Sequence, residues 1–242
     1  MIRLVTRRRA IIAAAIFAAL LVALIGLFLI SKAACFQLTG TAPICRIDTR
    51  EKLIALTFDD GPTPQGVDAV LPVLQRYGAH ATFFLVGQEM ANHPGLGARL
   101  VAAGNELGNH SYTHQRMVGL FPGPYEDEIR RTDALLRKEG EAHPVFFRPP
   151  NGKKLTGLPI AVDRTGYRTI TWDHVDPMTA ASPQAFAAII LARVKPGSIV
   201  VLHPMYRTSQ VTRDALPLIL DGLKAKGYRA VTVGELLKRA GK

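Results

Sequence analysis

The chain has 242 residues, a formal charge of +11 and two cysteines, a length that suits one globular domain plus an appendage. Residues 1–34 hold five basic residues and no acid, so +6 belongs to the remainder, enough to favour an anionic polymer or a membrane surface. No run of basic residues reads as a nucleic-acid patch, which argues against that class of partner.

Residues 10–30 form an unbroken apolar run of 21 residues. As a helix it would measure about 31 Å, enough to span a bilayer core. Arg7-Arg8-Arg9 should stay cytoplasmic, which places the rest of the chain across the membrane. The run is longer than the apolar part of a usual secretory signal, so residues 1–34 read as an uncleaved anchor. The competing reading is a signal peptide cut near Ser31-Lys32-Ala33, which would release the domain. Lys32 argues against a lipid on Cys35. Cys35 and Cys45, ten positions apart, either form a disulfide in an exported chain or remain two thiols. Residues 35–50 read as a linker or cap, and residues 51–242 as the folded domain.

From residue 51 short apolar runs alternate with helical periodicity. Strands are predicted at 53–58, 81–86, 105–109, 145–148, 168–172, 198–203 and 229–233. Helices are predicted at 67–77, 96–103, 125–139, 158–165, 183–194, 212–226 and 234–240. Seven strand-then-helix units make an α/β fold with a parallel sheet, closed into a barrel or left open and doubly wound. Either way, function gathers where the strands end.

Polar clusters sit at those ends. Asp59-Asp60-Gly61-Pro62 follows the first strand, and it also reads as a capped turn. His110 and His114 follow the third. At i and i+4 on a helical turn two imidazoles can reach one ion, although such pairs are often ordinary histidines. Asp60 is the candidate to complete a two-His, one-carboxylate set with open positions. Adjacent aspartates in extended chain point to opposite sides unless a turn at Gly61-Pro62 redirects them. Arg148, stiffened by the two prolines after it, can grip a carboxylate by a bidentate pair or serve as a surface ion pair. The N–H of Asn151 can face an oxyanion. His203 ends an apolar strand. It reads as a core histidine, or as a general acid if Asp173 or Asp176 is its partner.

These motifs resemble those of the polysaccharide deacetylases. Thr57–Pro62 (TFDDGP), His110–His114 (HSYTH), Arg148–Gly152 (RPPNG), the Trp172-Asp173 segment and Ile199–His203 (IVVLH) match that family's series in order. The resemblance spans about residues 52–237. It implies a distorted (β/α)7 barrel-like fold preceded here by the transmembrane helix. It implies a divalent metal, most often zinc, on Asp60, His110 and His114. Asp59 would be the general base held by Arg148, His203 the general acid, Asn151 an oxyanion donor and Trp172 a residue on the substrate side. Asn151 stands where the family commonly has an aromatic. The expected substrate is an acetylated polysaccharide of the envelope, such as peptidoglycan, reached from outside the cytoplasm. The competing readings are a non-catalytic glycan-binding protein on the same fold and a different metal-dependent C–N hydrolase.

Overall fold

β1, Leu53–Gly61, is buried along all nine of its residues, and the other strands are laid out around it. The computed structural model describes residues 2–143, 145–177 and 180–241; the side chain of Arg7, part of the predicted basic cluster, lies outside that description. In chain order the elements are α1 (Ile2–Lys32), β1, α2 (Pro64–Tyr77), β2 (Thr82–Leu85), α3 (Gly87–Asn92), α4 (Leu96–Ala102), β3 (Glu106–Asn109), α5 (Gly123–Lys138), β4 (Phe146–Phe147), α6 (Gly157–Arg164), β5 (Arg168–Thr169), β6 (His174–Val175), α7 (Pro183–Arg193), β7 (Ile199–Leu202), α8 (Gln210–Ala225), β8 (Arg229–Val231) and α9 (Val233–Arg239).

The strands run in the order β5-β4-β3-β2-β1-β7-β6, with β8 paired to the start of β1, and every pair is parallel. Helices start where the sequence supplies caps. Thr63 accepts from the Gly66 N–H with Pro64 behind it, Ser182 caps α7 before Pro183, and Thr232 caps α9.

Side-chain alternation along β1 divides the core in two. Ile54, Leu56 and Phe58 face outward into the layer formed with α2, α7 and α8, where Leu74, Phe186, Leu216 and Ile219 are buried. Leu53 and Ala55 face inward with Phe84, Phe146, Ile170, Ile199 and Leu236. The interior of the curled sheet is therefore apolar at the base.

The seam between the two ends of the sheet is filled by residues 44–47. Ile44 bridges to Ile170, and Arg46 to Ser198. The N–H of Ile47 donates to the Gly197 carbonyl at 2.9 Å. Gly197 has φ +80°, and a Cβ there would lie 1.6 Å from the Ile47 oxygen, so only glycine fits. Cys35 and Cys45 are joined in a disulfide, which ties the preceding loop to this seam strand.

Two expectations need correction. The stretch 168–172 is not one strand. The carboxylate of Asp173 accepts from the Ile199 N–H and the Ser198 hydroxyl, each at 2.8 Å. Those bonds replace a ladder, and the chain leaves β5 at Thr169 and rejoins the sheet beside β7 as β6. The described residues thus hold eight strands, one more than predicted. The six-residue α3 was also unforeseen, being too short to show helical periodicity. α1 is longer than its apolar run, and Ile11–Lys32 is long and apolar enough to cross a membrane, with a mean hydropathy of 3.0.

Candidate active site

The inward row of β1 continues Leu53, Ala55, Thr57, Asp59, so Asp59 points into the barrel by simple alternation. Asp60 would then point out, yet it does not. Between Asp59 and Gly61 the register against β2 slips by one residue, and Asp60 takes φ +72°. A bulge with a left-handed residue costs about 1 kcal/mol or more for a non-glycine, and it re-aims a side chain. The device that brings both carboxylates to one place is Asp60 itself, one residue before the turn that the sequence suggested.

Arg148 comes from the end of β4 and is wholly buried. One of its terminal nitrogens donates to Asp59 Oδ1 at 2.6 Å and to Thr57 Oγ1 at 2.8 Å. Its Nε and its other terminal nitrogen donate to the Ile170 and Thr171 carbonyls, and its Cζ lies 4.0 Å from the centre of the Phe84 ring. The grip on Asp59 is thus through one nitrogen and not the bidentate pair expected. Burial pulls the guanidinium's pKa down, and Asp59 followed by Asp60 opposes it. Asp59 Oδ2 is left facing the histidines, 3.9 Å from His110 Nε2 and 4.0 Å from His203 Nε2.

His110 and His114 lie on the loop after β3. Ser111 and His114 have φ of +62° and +58°, so the pair is presented by a folded loop and not by a helical turn. That loop is held by its own polar residues. Asn109 accepts from the Ser111 N–H, Ser111 Oγ accepts from the His114 N–H, and Glu128 on α5 accepts from the N–H groups of Tyr112 and Thr113. His110 Nδ1 meets the Arg148 carbonyl at 2.7 Å, which makes Nδ1 the donor and leaves Nε2 with a free lone pair facing Asp60.

Asp60 Oδ1 lies 2.9 Å from His114 Nε2 and 3.4 Å from His110 Nε2. One ligand atom from each of Asp60, His110 and His114 falls within 4.8 Å of the others. Asp60 Oδ1 is buried and has no properly aligned hydrogen-bond donor. A buried carboxylate oxygen without a donor, facing two imidazole nitrogens, suits a cation, and the donor set of two nitrogens and one oxygen suits zinc or a similar divalent ion. Burial alone would raise the Asp60 pKa. The histidines, His110 and His114 foremost, outweigh it and hold the carboxyl well below the usual range.

His203 follows β7 and enters from the opposite side, with Nε2 3.8 Å from Asp60 Oδ2. Asp176 Oδ2 accepts from the His203 backbone N–H at 2.9 Å and lies 3.4 Å from its Nδ1. The second approach is an ionic contact and not an aligned hydrogen bond. Burial lowers the imidazole's pKa, but Asp176, Asp59 and Asp60 outweigh it and push it up to about 9.

Of the two candidate partners only Asp176 reaches His203; both oxygens of Asp173 are occupied at the base of β7. Trp172 is half-buried against Gly152, where a Cβ would come 2.7 Å from its ring. It supports the Asn151 loop from behind and does not line the cleft. Asn151 does line it, at φ +56°, a conformation asparagine tolerates.

The cleft holds about 490 Å³. Its walls include Asp60, His114, Asn151, His203, Phe186 and Tyr206. Tyr206 was missed by sequence reasoning. Burial and the neighbouring Asp60 raise its pKa, and Arg213 fixes its loop by donating to the Pro204, Tyr206 and Arg207 carbonyls. Its only signal in the sequence is its place three residues after His203.

Residues 46–170 match the family model for polysaccharide deacetylase. A peptidoglycan-N-acetylglucosamine deacetylase from Bacillus cereus is 36% identical over 199 residues, covering 79% of this chain and 91% of that protein. A family 4 acetyl xylan esterase from Clostridium thermocellum, solved with a cobalt ion, superposes with a TM-score of 0.73 at 34% identity, over 78% of this chain and 92% of that one. A CE4 family pseudoenzyme from Bacillus anthracis superposes with a TM-score of 0.75 at 27% identity, over 83% and 70%.

Proposed function

The chain belongs to the polysaccharide deacetylase family, and from that premise we propose that it hydrolyses acetyl groups, N-acetyl above all, on an envelope glycan such as peptidoglycan. The observation that carries this reading is the meeting of three groups in one cleft: the Asp60–His110–His114 cluster, the Asp59–Arg148 pair and the His203–Asp176 pair. The similarity to a peptidoglycan deacetylase supports the choice of glycan.

Asp60, His110 and His114 would hold the metal, zinc by the nature of the ligands. When bound, it would lower the pKa of a water and polarise the acetyl carbonyl. Asp59 takes the proton of the attacking water. Its Oδ1 is fixed by Arg148, so the free Oδ2 is the accepting atom. The Asn151 N–H stabilises the developing oxyanion. His203, charged through Asp176, gives its Nε2 proton to the leaving amine, so nitrogen departs neutral and acetate remains. α1 anchors the chain, and the domain works on the outer side of the membrane.

The pseudoenzyme relative favours a second reading, a glycan-binding protein without turnover. Acetate release from a panel of acetylated oligosaccharides decides between them. Turnover that Asp60→Ala abolishes supports the enzyme; glycan binding with no acetate from any member of the panel supports the binder.

A further inference from the structure

The end of α1 does not leave the domain freely. The Ser31 carbonyl accepts from the Lys154 N–H at 3.0 Å, the Ala33 carbonyl from Lys154 Nζ at 2.6 Å, and the Ala34 carbonyl from Thr171 Oγ1 at 2.8 Å. Ser31 and Lys154 are buried. Lys153 Nζ stands 4.7 Å over the ring of Phe28 within the helix. The helix exit is thus seated on the segment that follows the Asn151 loop.

Around that exit the surface is apolar. Residues 116–121, which follow the metal-site loop, are joined to the same segment by a bridge between Met117 and Lys154 and a bond from the Gly157 N–H to the Gly119 carbonyl. Thr156 accepts at its carbonyl from Thr39 Oγ1 and donates its hydroxyl to the Leu120 carbonyl, which ties residues 36–39 to the same patch. Leu120 and Phe121 are 62% and 77% exposed, and Phe36, Leu38 and Val118 are exposed beside them. Clustered large apolar side chains at a surface mark an interaction site. Lys32, Arg116 and Lys153 lie close enough together for Lys32 and Arg116 to depress the Lys153 pKa, after burial. No ion pair holds any of the three among the described residues.

We propose that this face lies in the headgroup layer of the membrane that α1 spans, with Leu120 and Phe121 inserted at the acyl boundary and Lys32, Arg116 and Lys153 on anionic headgroups. The occupant is a lipid surface because the patch surrounds the exit of the spanning helix and carries the charge that anionic lipid attracts. The inference rests on α1 being an anchor. Docking would hold the cleft, whose walls include Asn151 and His114, at a fixed height above the bilayer, where it meets glycan strands nearest the membrane.

The test uses the full chain in vesicles of phosphatidylethanolamine and phosphatidylglycerol, with Phe121→Trp read by fluorescence quenching from dibrominated acyl chains. Tyr228→Trp, beside β8, is the control, with Trp172 the sole background indole. Resistance to alkaline carbonate extraction reports the anchor separately. Docking predicts Phe121→Trp emission shifted to the blue and quenched several-fold more than Tyr228→Trp, with quenching reduced by Leu120→Glu. An extraction-resistant chain whose Phe121→Trp signal is unquenched overturns the docking and leaves the anchor standing; a blue-shifted but unquenched signal assigns the patch to contact with protein instead. An extractable chain overturns the anchor, and the docking with it.

Discussion

The left-handed backbone of Asp60 sends the two adjacent aspartates to different partners. Asp59 keeps the strand's alternation and meets Arg148, while Asp60 at φ +72° turns to the histidines. Removing Arg148 leaves Asp59 buried without its cation, so Arg148→Met should lower unfolding free energy by about 3–5 kcal/mol, measured by denaturant titration. An unchanged midpoint would show that the buried pair is not formed. As the proposed acid, His203 must carry a proton, so activity should fall as pH rises through its pKa. With that pKa pushed up to about 9, the alkaline limb of kcat/KM is expected at or below pH 9, because a cation on Asp60 removes part of the attraction. Asp176→Asn deletes a negative charge, lowers the imidazole's pKa and should move the limb to lower pH. An unmoved limb would mean that Asp176 does not support His203. Replacing His203 by Gln should reduce kcat by about 10²–10⁴-fold.

At the scale of elements, the sequence made strands legible wherever apolar runs were unbroken. β1, β2 and β7 lie within two or three residues of their predicted ends, because strands buried on both faces read as continuous apolar runs. The register slip at Asp60 was not legible, since it arises from pairing with β2. Nor was the break between β5 and β6, which follows from Asp173 bonding to residues 198 and 199, 25 and 26 positions away. The site was readable as polar residues at strand ends, but Tyr206 stands in a loop with no pattern, and the choice of Asp176 over Asp173 required the fold. The disulfide and the seam strand form one device. Cys35→Ser with Cys45→Ser should cost about 2–3 kcal/mol, as expected for freeing a loop of this length, read from denaturation under oxidising and reducing conditions. A variant as stable as the oxidised protein would make the bond incidental. Lys154, where α1 docks, has its pKa pulled down to about 8 by burial. At this group the unfolded chain binds more protons than the folded one above pH 8, so Lys154 contributes a rise in stability from pH 8 to 10 of at most ~1.4 kcal/mol per unit, opposed up to about pH 9 by His203, whose raised pKa acts in the other direction. Lys154→Met should remove that contribution, leaving a slope between pH 8 and 10 that is less positive than in the unaltered protein; an identical slope would show that Lys154 is not held deprotonated by burial.

Over the whole molecule, a curled parallel sheet with an apolar base and a polar rim gathers residues more than 140 positions apart in sequence into one cleft. The seam residues 44–47 complete the barrel, and α1, long and apolar enough to cross a membrane, is seated beside it. The account centres on a cation held by Asp60, His110 and His114. The most direct test is elemental analysis joined to acetate release from an acetylated glycan, before and after chelation and again after zinc is restored. The account predicts one divalent ion per chain, acetate release lost with that ion and regained with zinc, and neither ion nor release in His110→Ala. Undiminished acetate release from the chelated, metal-free protein would contradict it.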